Sequence, residues 1–210
     1  YYYGTSTKKY SAFVAAESNR PAMIYTGAND GLLHAFTVDD QSALTPSGTA
    51  NFVGGSEIFA YMPEALSSDD EDRGIHYLVD PDYQHRFYVD LTATPSDVFM
   101  DFYGAATAGD PADPEWRTVL VGGLRNGGKG LFALDVSCPL QTDPLVTTTT
   151  CHDESFNATN VLWEFSSAVD ADLGRTYAEP IIAKVNYDSG FTTGTDERNG
   201  NGNGRWAVIV

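Results

Sequence analysis

The sequence of 210 residues predicts an all-β fold. Helical spacing of apolar residues is hard to find, whereas short β-rich runs bounded by Gly, Pro, Asn and Asp recur throughout. With 42% apolar residues, the chain is able to bury the core of one domain. Strands are expected at residues 22–27, 32–38, 57–62, 87–91, 97–102, 118–122, 130–136, 161–165, 180–185 and 206–210.

A weak internal repeat organises these strands. The segment MIYTG, a turn and GLLHAF (residues 23–36) align with VLVGG, a turn and GLFALD (residues 119–135). After a long insertion, an aromatic strand follows each pair, EIFAY at residues 57–61 and VLWEF at residues 161–165. Four short antiparallel strands per unit, Gly at the inner turns and bulky aromatics on the outer strand are typical of a β-propeller blade.

The spacing of the repeat predicts about two and a half blades of one propeller domain. A leading segment covers residues 1–20, and a first blade without a clear first strand covers about residues 21–66. A complete second blade covers about residues 85–166, and a third begins at about residues 175–210. Because propellers usually have about four to eight blades, we expect the rest of the ring to lie outside this sequence. A start without Met also suggests an excised or mature piece of a longer product.

The tripeptide Asn29-Asp30-Gly31 predicts a hairpin turn between two strands of the first blade, because these residues tolerate positive φ. Alternation along the following strand places His34 on the face opposite Leu33. His34 is therefore expected to pack between blades. A catalytic role would need a partner such as Asp135 or His85 within hydrogen-bond reach. No catalytic or metal-ligating residue is predicted.

The charge of the chain limits its partners. Its 29 acidic and 12 basic residues give a formal net charge of −17. Nucleic acid binding depends on neutralising phosphates with Lys and Arg, so a nucleic acid partner is not expected. No apolar run approaches the roughly 18 residues that a membrane span needs.

The two cysteines bracket a long loop with no apolar periodicity. A disulfide between Cys138 and Cys151 would close a loop of about 14 residues and add up to about 3 kcal/mol, which favours an oxidising compartment. Two reduced thiols are the alternative. Long loops on a rigid β scaffold often carry recognition, so this loop, with Cys138, Pro139, Thr147 and Cys151, is the predicted contact surface.

The ordered segments resemble a known family. MIYTGANDGLLHAF, EIFAYMPEAL, YQHRFYVDLTATPSDVFM, WRTVLVGGLRNGGKGLFALDV, VLWEF and DLGRTYAEPIIAKV follow one another over residues 21–210. In this order they are similar to the C-terminal propeller of the PilY/PilC family, the large type IV pilus biogenesis proteins and tip adhesins. One departure is Val89-Asp90-Leu91, where the family more often has Val-Asp-Gly.

This resemblance implies a non-catalytic protein that is secreted through the periplasm and outer membrane to the tip of a type IV pilus. There it would support pilus assembly and extension as well as surface adhesion. The implied partners are minor pilins, other tip components and a host or abiotic surface ligand. The family's Asp-rich calcium loop is not found, because residues 199–204 carry neutral Asn at the ligand-spaced positions. We therefore expect no cofactor in this segment, with calcium possible elsewhere in the full-length chain.

Two alternatives remain open. Quinoprotein dehydrogenases that use pyrroloquinoline quinone have propeller blades of similar pattern. Their tryptophan-docking motif is incomplete here, because Ala133-Leu134-Asp135 is not followed by Thr-Gly and the next Trp is Trp163. The other alternative is a generic extracellular binding propeller, with its 12 Tyr residues available for contact.

Overall fold

The structure is a computed structural model that describes residues 8–20, 22–42, 51–67, 74–101, 114–137, 156, 158–186 and 204–210. It confirms the all-β fold with antiparallel sheets. The strands are β1 (Met23–Gly27), β2 (Leu33–Thr37), β3 (Gln41–Ser42), β4 (Asn51–Phe52), β5 (Glu57–Tyr61), β6 (Leu91–Met100), β7 (Glu115–Gly123), β8 (Gly130–Asp135), β9 (Val161–Ser166), β10 (Ile181–Asn186) and β11 (Gly204–Ile209). Helical residues in the described part are confined to α1 (Tyr10–Ala16) and to 3-10 segments at Glu17–Asn19, Glu64–Leu66, Gly74–Val79, Arg125–Gly127 and Ala158–Asn160.

The central sheet has four antiparallel strands in the order β6-β7-β8-β9. Both of its faces are covered. Leu120 and Phe132 belong to the apolar cluster shared with the sheet β1-β2-β5. Val121 and Ala133 belong to a second cluster, which includes Ile182 of the two-stranded sheet β10-β11. Because alternate side chains point to opposite faces, a sheet packed on both sides has strands that are buried at nearly every position, as β8 is.

The three-stranded sheet β1-β2-β5 packs one face on the central sheet. In β2 the buried residues alternate, with Leu33 and Ala35 fully buried, so the predicted face assignment holds. A polar contact also joins the two sheets, because the Tyr61 hydroxyl donates to the Glu164 carboxylate in β9. The backbone N–H of Glu64 donates to the same carboxylate, at 2.8 and 3.0 Å from its two oxygens.

The strand predicted at residues 87–91 is wrong. Residues 87–90 are not a strand, and β6 instead runs without a break from Leu91 through Pro95. Tyr88 and Val89 are apolar because they enter the core, where each is 2% exposed, and not because they pair in a ladder. Pro95 lies within β6, which is at the edge of its sheet, where a missing N–H is tolerated.

The helix α1 in the leading segment was not predicted. It has seven residues and no side-chain hydrogen bond at its N-cap, so it carries few local signals. Tertiary contacts hold it, because the rings of Tyr10 and Phe13 pack on Trp116 of β7. The Tyr10 hydroxyl also donates to Asp97 of β6 at 2.8 Å. The proposed blade boundaries stay a prediction.

Candidate binding cleft

Several connections meet at one end of the central sheet. Leu91 pairs with Gly123, and Gly130 pairs with Ser166, so the entry into β6, the β7–β8 turn and the exit from β9 lie at the same end. A cleft of about 650 Å³ opens among them. Six of its lining residues carry polar or aromatic side chains, His85, Arg86, Phe87, Tyr88, Asn126 and Arg175.

The segment before β6 is fixed by aromatic and cationic side chains. The Arg86 guanidinium lies 3.6 Å from the centre of the Tyr77 ring, a cation–π contact. The Tyr77 hydroxyl accepts a hydrogen bond from the Gln84 N–H at 3.0 Å, and the Tyr83 hydroxyl accepts one from the Arg86 N–H at 3.1 Å. These contacts present Arg86 at the cleft on a constrained backbone.

Tyr88 is the most buried aromatic residue of the cleft wall, at 2% exposure. Burial raises the pKa of its hydroxyl above the usual value. This hydroxyl has no hydrogen-bond partner in the described part of the chain. A buried hydroxyl without a partner costs free energy, so this group lowers the stability of the fold beside the cleft.

The β7–β8 turn approaches the same segment closely. A Cβ atom at Gly127 would overlap the backbone carbonyl of Tyr88, so glycine is required there by the contact. In the same turn, Asn126 accepts a hydrogen bond from the Tyr177 hydroxyl at 2.9 Å. Arg125 takes a positive φ of 46°, and its guanidinium lies 5.9 Å from the Tyr177 ring centre.

The predicted turn Asn29-Asp30-Gly31 supports the cleft from the first sheet. It connects β1 and β2, which pair antiparallel with Gly27 opposite Leu33. The Asn29 amide lies 3.1 Å from His85 Nε2, and its oxygen accepts from the Tyr88 N–H at 3.4 Å. Of the three turn residues only Gly31 takes a positive φ, of 93°. Asp30 instead accepts from the Leu32 N–H at 3.0 Å, as in an Asx turn.

His34 lies between two carboxylates and away from the cleft. Its Nδ1 is 2.7 Å from Glu57 Oε1, and its Nε2 is 2.9 Å from Asp30 Oδ2. The hydrogen bond to Glu57 raises the pKa of His34, burial opposes this change, and Asp30 raises the pKa further. His34 lies on the face of β2 opposite Leu33 and Ala35, as the alternation predicts, and its position between blades stays a prediction.

Neither suggested catalytic partner contacts His34. Asp135 accepts from Arg117 Nη1 at 3.2 Å and from the Ser137 hydroxyl at 2.6 Å. His85 contacts Asn29 instead. Within the described ranges, no group of three His, Cys, Asp or Glu side chains is placed to hold a metal ion. Through these two contacts, His34 joins the β1–β2 turn at Asp30 to β5 at Glu57.

The loop predicted as the contact surface lies outside the described residues. This applies to Cys138, Pro139, Thr147 and Cys151, so the disulfide and the loop's role in contact both stay predictions. The cleft was not predicted. A signal for it was present, because Arg86-Phe87-Tyr88 and Arg175-Thr176-Tyr177 repeat the pattern Arg-x-Tyr ahead of successive blades. In the first copy the Tyr88 backbone N–H donates to the side-chain oxygen of Asn29, whereas in the second the Tyr177 hydroxyl donates to that of Asn126.

Comparison with known proteins identifies the family. The family model described as the PilY1 beta-propeller domain matches residues 3–210. The chain belongs to this family. It is 36% identical over 202 residues to a type IV pilus biogenesis factor PilY1 homolog of Xylella fastidiosa, covering 95% of the chain and 10% of that protein. It is 32% identical over 204 residues to the type IV pilus biogenesis factor PilY1 of Pseudomonas aeruginosa strain PAO1, covering 96% of the chain and 12% of that protein.

A solved PilY1 structure agrees with this assignment. The crystal structure of the Pseudomonas aeruginosa PilY1 C-terminal domain matches with a TM-score of 0.50 and 30% identity, over 85% of this chain and 25% of that one. The chain thus spans about an eighth or less of the curated PilY1 relatives. In the part of the chain that the structure describes, no helix is long and apolar enough to cross a membrane.

Proposed function

We propose that this chain is the propeller part of a type IV pilus biogenesis factor that supports pilus assembly, pilus extension and surface adhesion. It acts by binding and not by catalysis. The single observation that carries the proposal is the match to the PilY1 beta-propeller domain over residues 3–210. The biogenesis role is the one printed for the PilY1 proteins of Xylella fastidiosa and Pseudomonas aeruginosa.

The architecture suits a scaffold that presents loops under load. The central sheet is packed on both faces, and side-chain hydrogen bonds tie it to each neighbouring sheet. On one side, Tyr61 bonds Glu164, and on the other, Trp206 Nε1 donates to the Phe99 carbonyl at 2.8 Å. In the proposed function, the propeller sits among minor pilins at the tip of a surface filament and exposes its connections to the medium.

The test is mass spectrometry of sheared, purified surface filaments. Three strains are compared: the parent, a strain deleted for this gene, and the deleted strain complemented with the gene. We expect this protein at low stoichiometry beside the pilins in the parent, fewer filaments in the deletion strain, and recovery on complementation. Adhesion, normalised to filament number, then separates a role in attachment from a role in assembly.

Two results would overturn the proposal. One is absence of the protein from parent filaments together with an unchanged filament number in the deletion strain. The other is a purified protein that absorbs as a bound quinone, which would favour the dehydrogenase alternative. The adhesion measurement is independent of these two results. A deletion strain that forms filaments in normal number but has lost attachment would show a role in adhesion and none in assembly.

A further inference from the structure

We propose that the open edge of β1 pairs with a β-strand formed by the segment of the full-length protein that directly precedes residue 1. Two neighbouring sheets differ in their number of strands. The central sheet has four described strands, in the order β6-β7-β8-β9, whereas the first sheet has three, in the order β1-β2-β5. The proposed strand would lie beside β1 as β6 lies beside β7. It would complete the first sheet whether or not the protein acts in pili.

The strands β1 and β7 occupy equivalent places in the two sheets. They contain the two copies of the repeat, MIYTG at residues 23–27 and VLVGG at residues 119–123, and each pairs with the strand that follows it. The strand β6 covers the other side of this segment of β7, from Ser96 opposite Val119 to Leu91 opposite Gly123. Among the described strands, β1 pairs only with β2. One side of β1 is therefore open where the same side of β7 is covered.

The register of β1 with β2 shows which backbone groups lie on the open side. Beside the first residue of β1, the Val38 N–H donates to the Ala22 carbonyl at 3.0 Å. Because hydrogen-bonded pairs alternate along an antiparallel ladder, the even-numbered residues of β1 direct their backbone groups to β2. The N–H and C=O groups of Met23 and Tyr25 point the other way, and no described residue bonds to them. Such a row of unpaired groups is a template for another strand.

The side chains of β1 also favour a strand at this edge. Met23 and Tyr25 pack against the apolar core on one face of the sheet, and burial raises the pKa of Tyr25. On the other face, Ile24 is 53% exposed. A strand paired with β1 would place its own side chains beside those of β1 on both faces, including Ile24. It would also protect an apolar edge that otherwise favours aggregation.

The spacing of the repeat indicates which segment supplies the strand. Ser96 and Val119 are opposite each other in β6 and β7 and lie 23 positions apart in the chain. Counting the same distance back from Met23, which is equivalent to Val119, gives the position directly before residue 1. The connection that follows contains α1, which packs on Trp116 of β7 and leaves the edge of β1 open. The PilY1 relatives have ample further sequence for such a strand, because this chain spans 10% and 12% of them.

The first test is hydrogen–deuterium exchange of the purified full-length protein, resolved to single amides and normalised to unstructured rates. Tyr25 reports on the open edge of β1, and Ala60 is the matched control at the opposite edge of the same sheet. The odd-numbered residues of β2 bond to β5 opposite Phe59 and Tyr61, so the Ala60 N–H points outward. We expect the Tyr25 amide to exchange at least about 100-fold more slowly than the Ala60 amide, because only the former is paired.

The second test is a photo-crosslink that identifies the strand. Ile24 is replaced by the photoreactive residue p-benzoylphenylalanine in the full-length protein, since its exposed side chain lies beside the open edge. We expect a cross-link within one molecule, to the segment directly before residue 1. The same replacement at Ala60, on the far strand of the sheet, is the control and should not reach that segment.

Exchange of the Tyr25 amide as fast as that of Ala60 would overturn the pairing, and this result comes from the protein without any substitution. A cross-link from residue 24 to a second copy or to another part of the chain would overturn the assignment of the strand. Protection of Tyr25 without a cross-link to the preceding segment would overturn it as well. None of these outcomes bears on whether the protein is found in filaments.

Discussion

Replacing Tyr61 by Phe tests the polar contact between the first and central sheets. The hydroxyl of Tyr61 donates to the carboxylate of Glu164, while the ring is 8% exposed and lies in the shared core. Burial raises the pKa of this Tyr, and the hydrogen bond to Glu164 raises it further, so the hydroxyl is a donor at all physiological pH values. The substitution keeps the ring and removes only the hydrogen bond.

The same substitution at Tyr88 is the matched control. Tyr88 is 2% exposed and belongs to the same core cluster, but its hydroxyl has no partner among the described residues. A hydrogen bond to a charged group contributes about 1.5–3 kcal/mol, and we take the lower half of that range because Glu164 is only partly buried. Tyr61→Phe should therefore cost about 1.5–2 kcal/mol, whereas Tyr88→Phe should change stability by about 0–1 kcal/mol in the favourable direction.

Equilibrium unfolding in urea, followed by tryptophan fluorescence, measures both changes. With a slope of about 2 kcal/mol per molar urea, Tyr61→Phe should lower the unfolding midpoint by about 1 M relative to Tyr88→Phe. A double-mutant cycle of Tyr61→Phe with Glu164→Ala should give a coupling energy of about 1–2 kcal/mol. Equal midpoints for the two Phe variants, or additivity within about 0.3 kcal/mol in the cycle, would refute this account of the contact between the sheets.

Three further predictions concern other sites. His34→Gln should destabilise the protein more at about pH 5.5 than at about pH 9, because the pKa of His34 is higher in the folded protein than in the unfolded chain. The stability that the charged imidazole contributes is complete below the unfolded pKa of about 6.5 and is lost as pH rises through the folded pKa. An equal loss of stability at both pH values in urea unfolding would contradict this prediction. Asp135→Ala should reduce the free energy of unfolding by about 3–5 kcal/mol, because it leaves the nearly buried Arg117 guanidinium without its buried partner. Glu115→Ala removes the exposed partner of Arg117 and should cost less than about 1 kcal/mol. Similar losses for the two variants in thermal unfolding would be inconsistent with this prediction. Gly127→Ala should reduce the free energy of unfolding by more than about 2 kcal/mol, because its Cβ atom would overlap the Tyr88 carbonyl. In the control Gly174→Ala, the added Cβ meets no atom within 4 Å, so this variant should be neutral or mildly stabilising. An unchanged urea midpoint for Gly127→Ala would show that the turn moves to accommodate the Cβ atom.

Local patterns were sufficient for the fold class and most of the strands. The alternation in β2 and the continuous apolar run of β8 are set by how many faces of each strand are covered, and that information is present in a single segment. The same logic failed at residues 87–90, since an apolar run is compatible with a ladder or with side chains inserted in a core. The strands expected at residues 87–91 and 97–102 are replaced by the single strand β6, and only the sheet order shows that β6 is an edge strand.

The sequence by itself determined the all-β class, the net negative charge and the resemblance to a pilus protein family. These properties depend on composition and on residue order over short distances. Tertiary structure decided which polar groups meet. It gave His34 the partners Asp30 and Glu57 in place of Asp135 or His85. It also brought Arg86 and Arg175, which are far apart in the chain, to the lining of one cleft. Hydrogen bonds and ion pairs act over a few ångströms, so such a site exists only after the blades have packed.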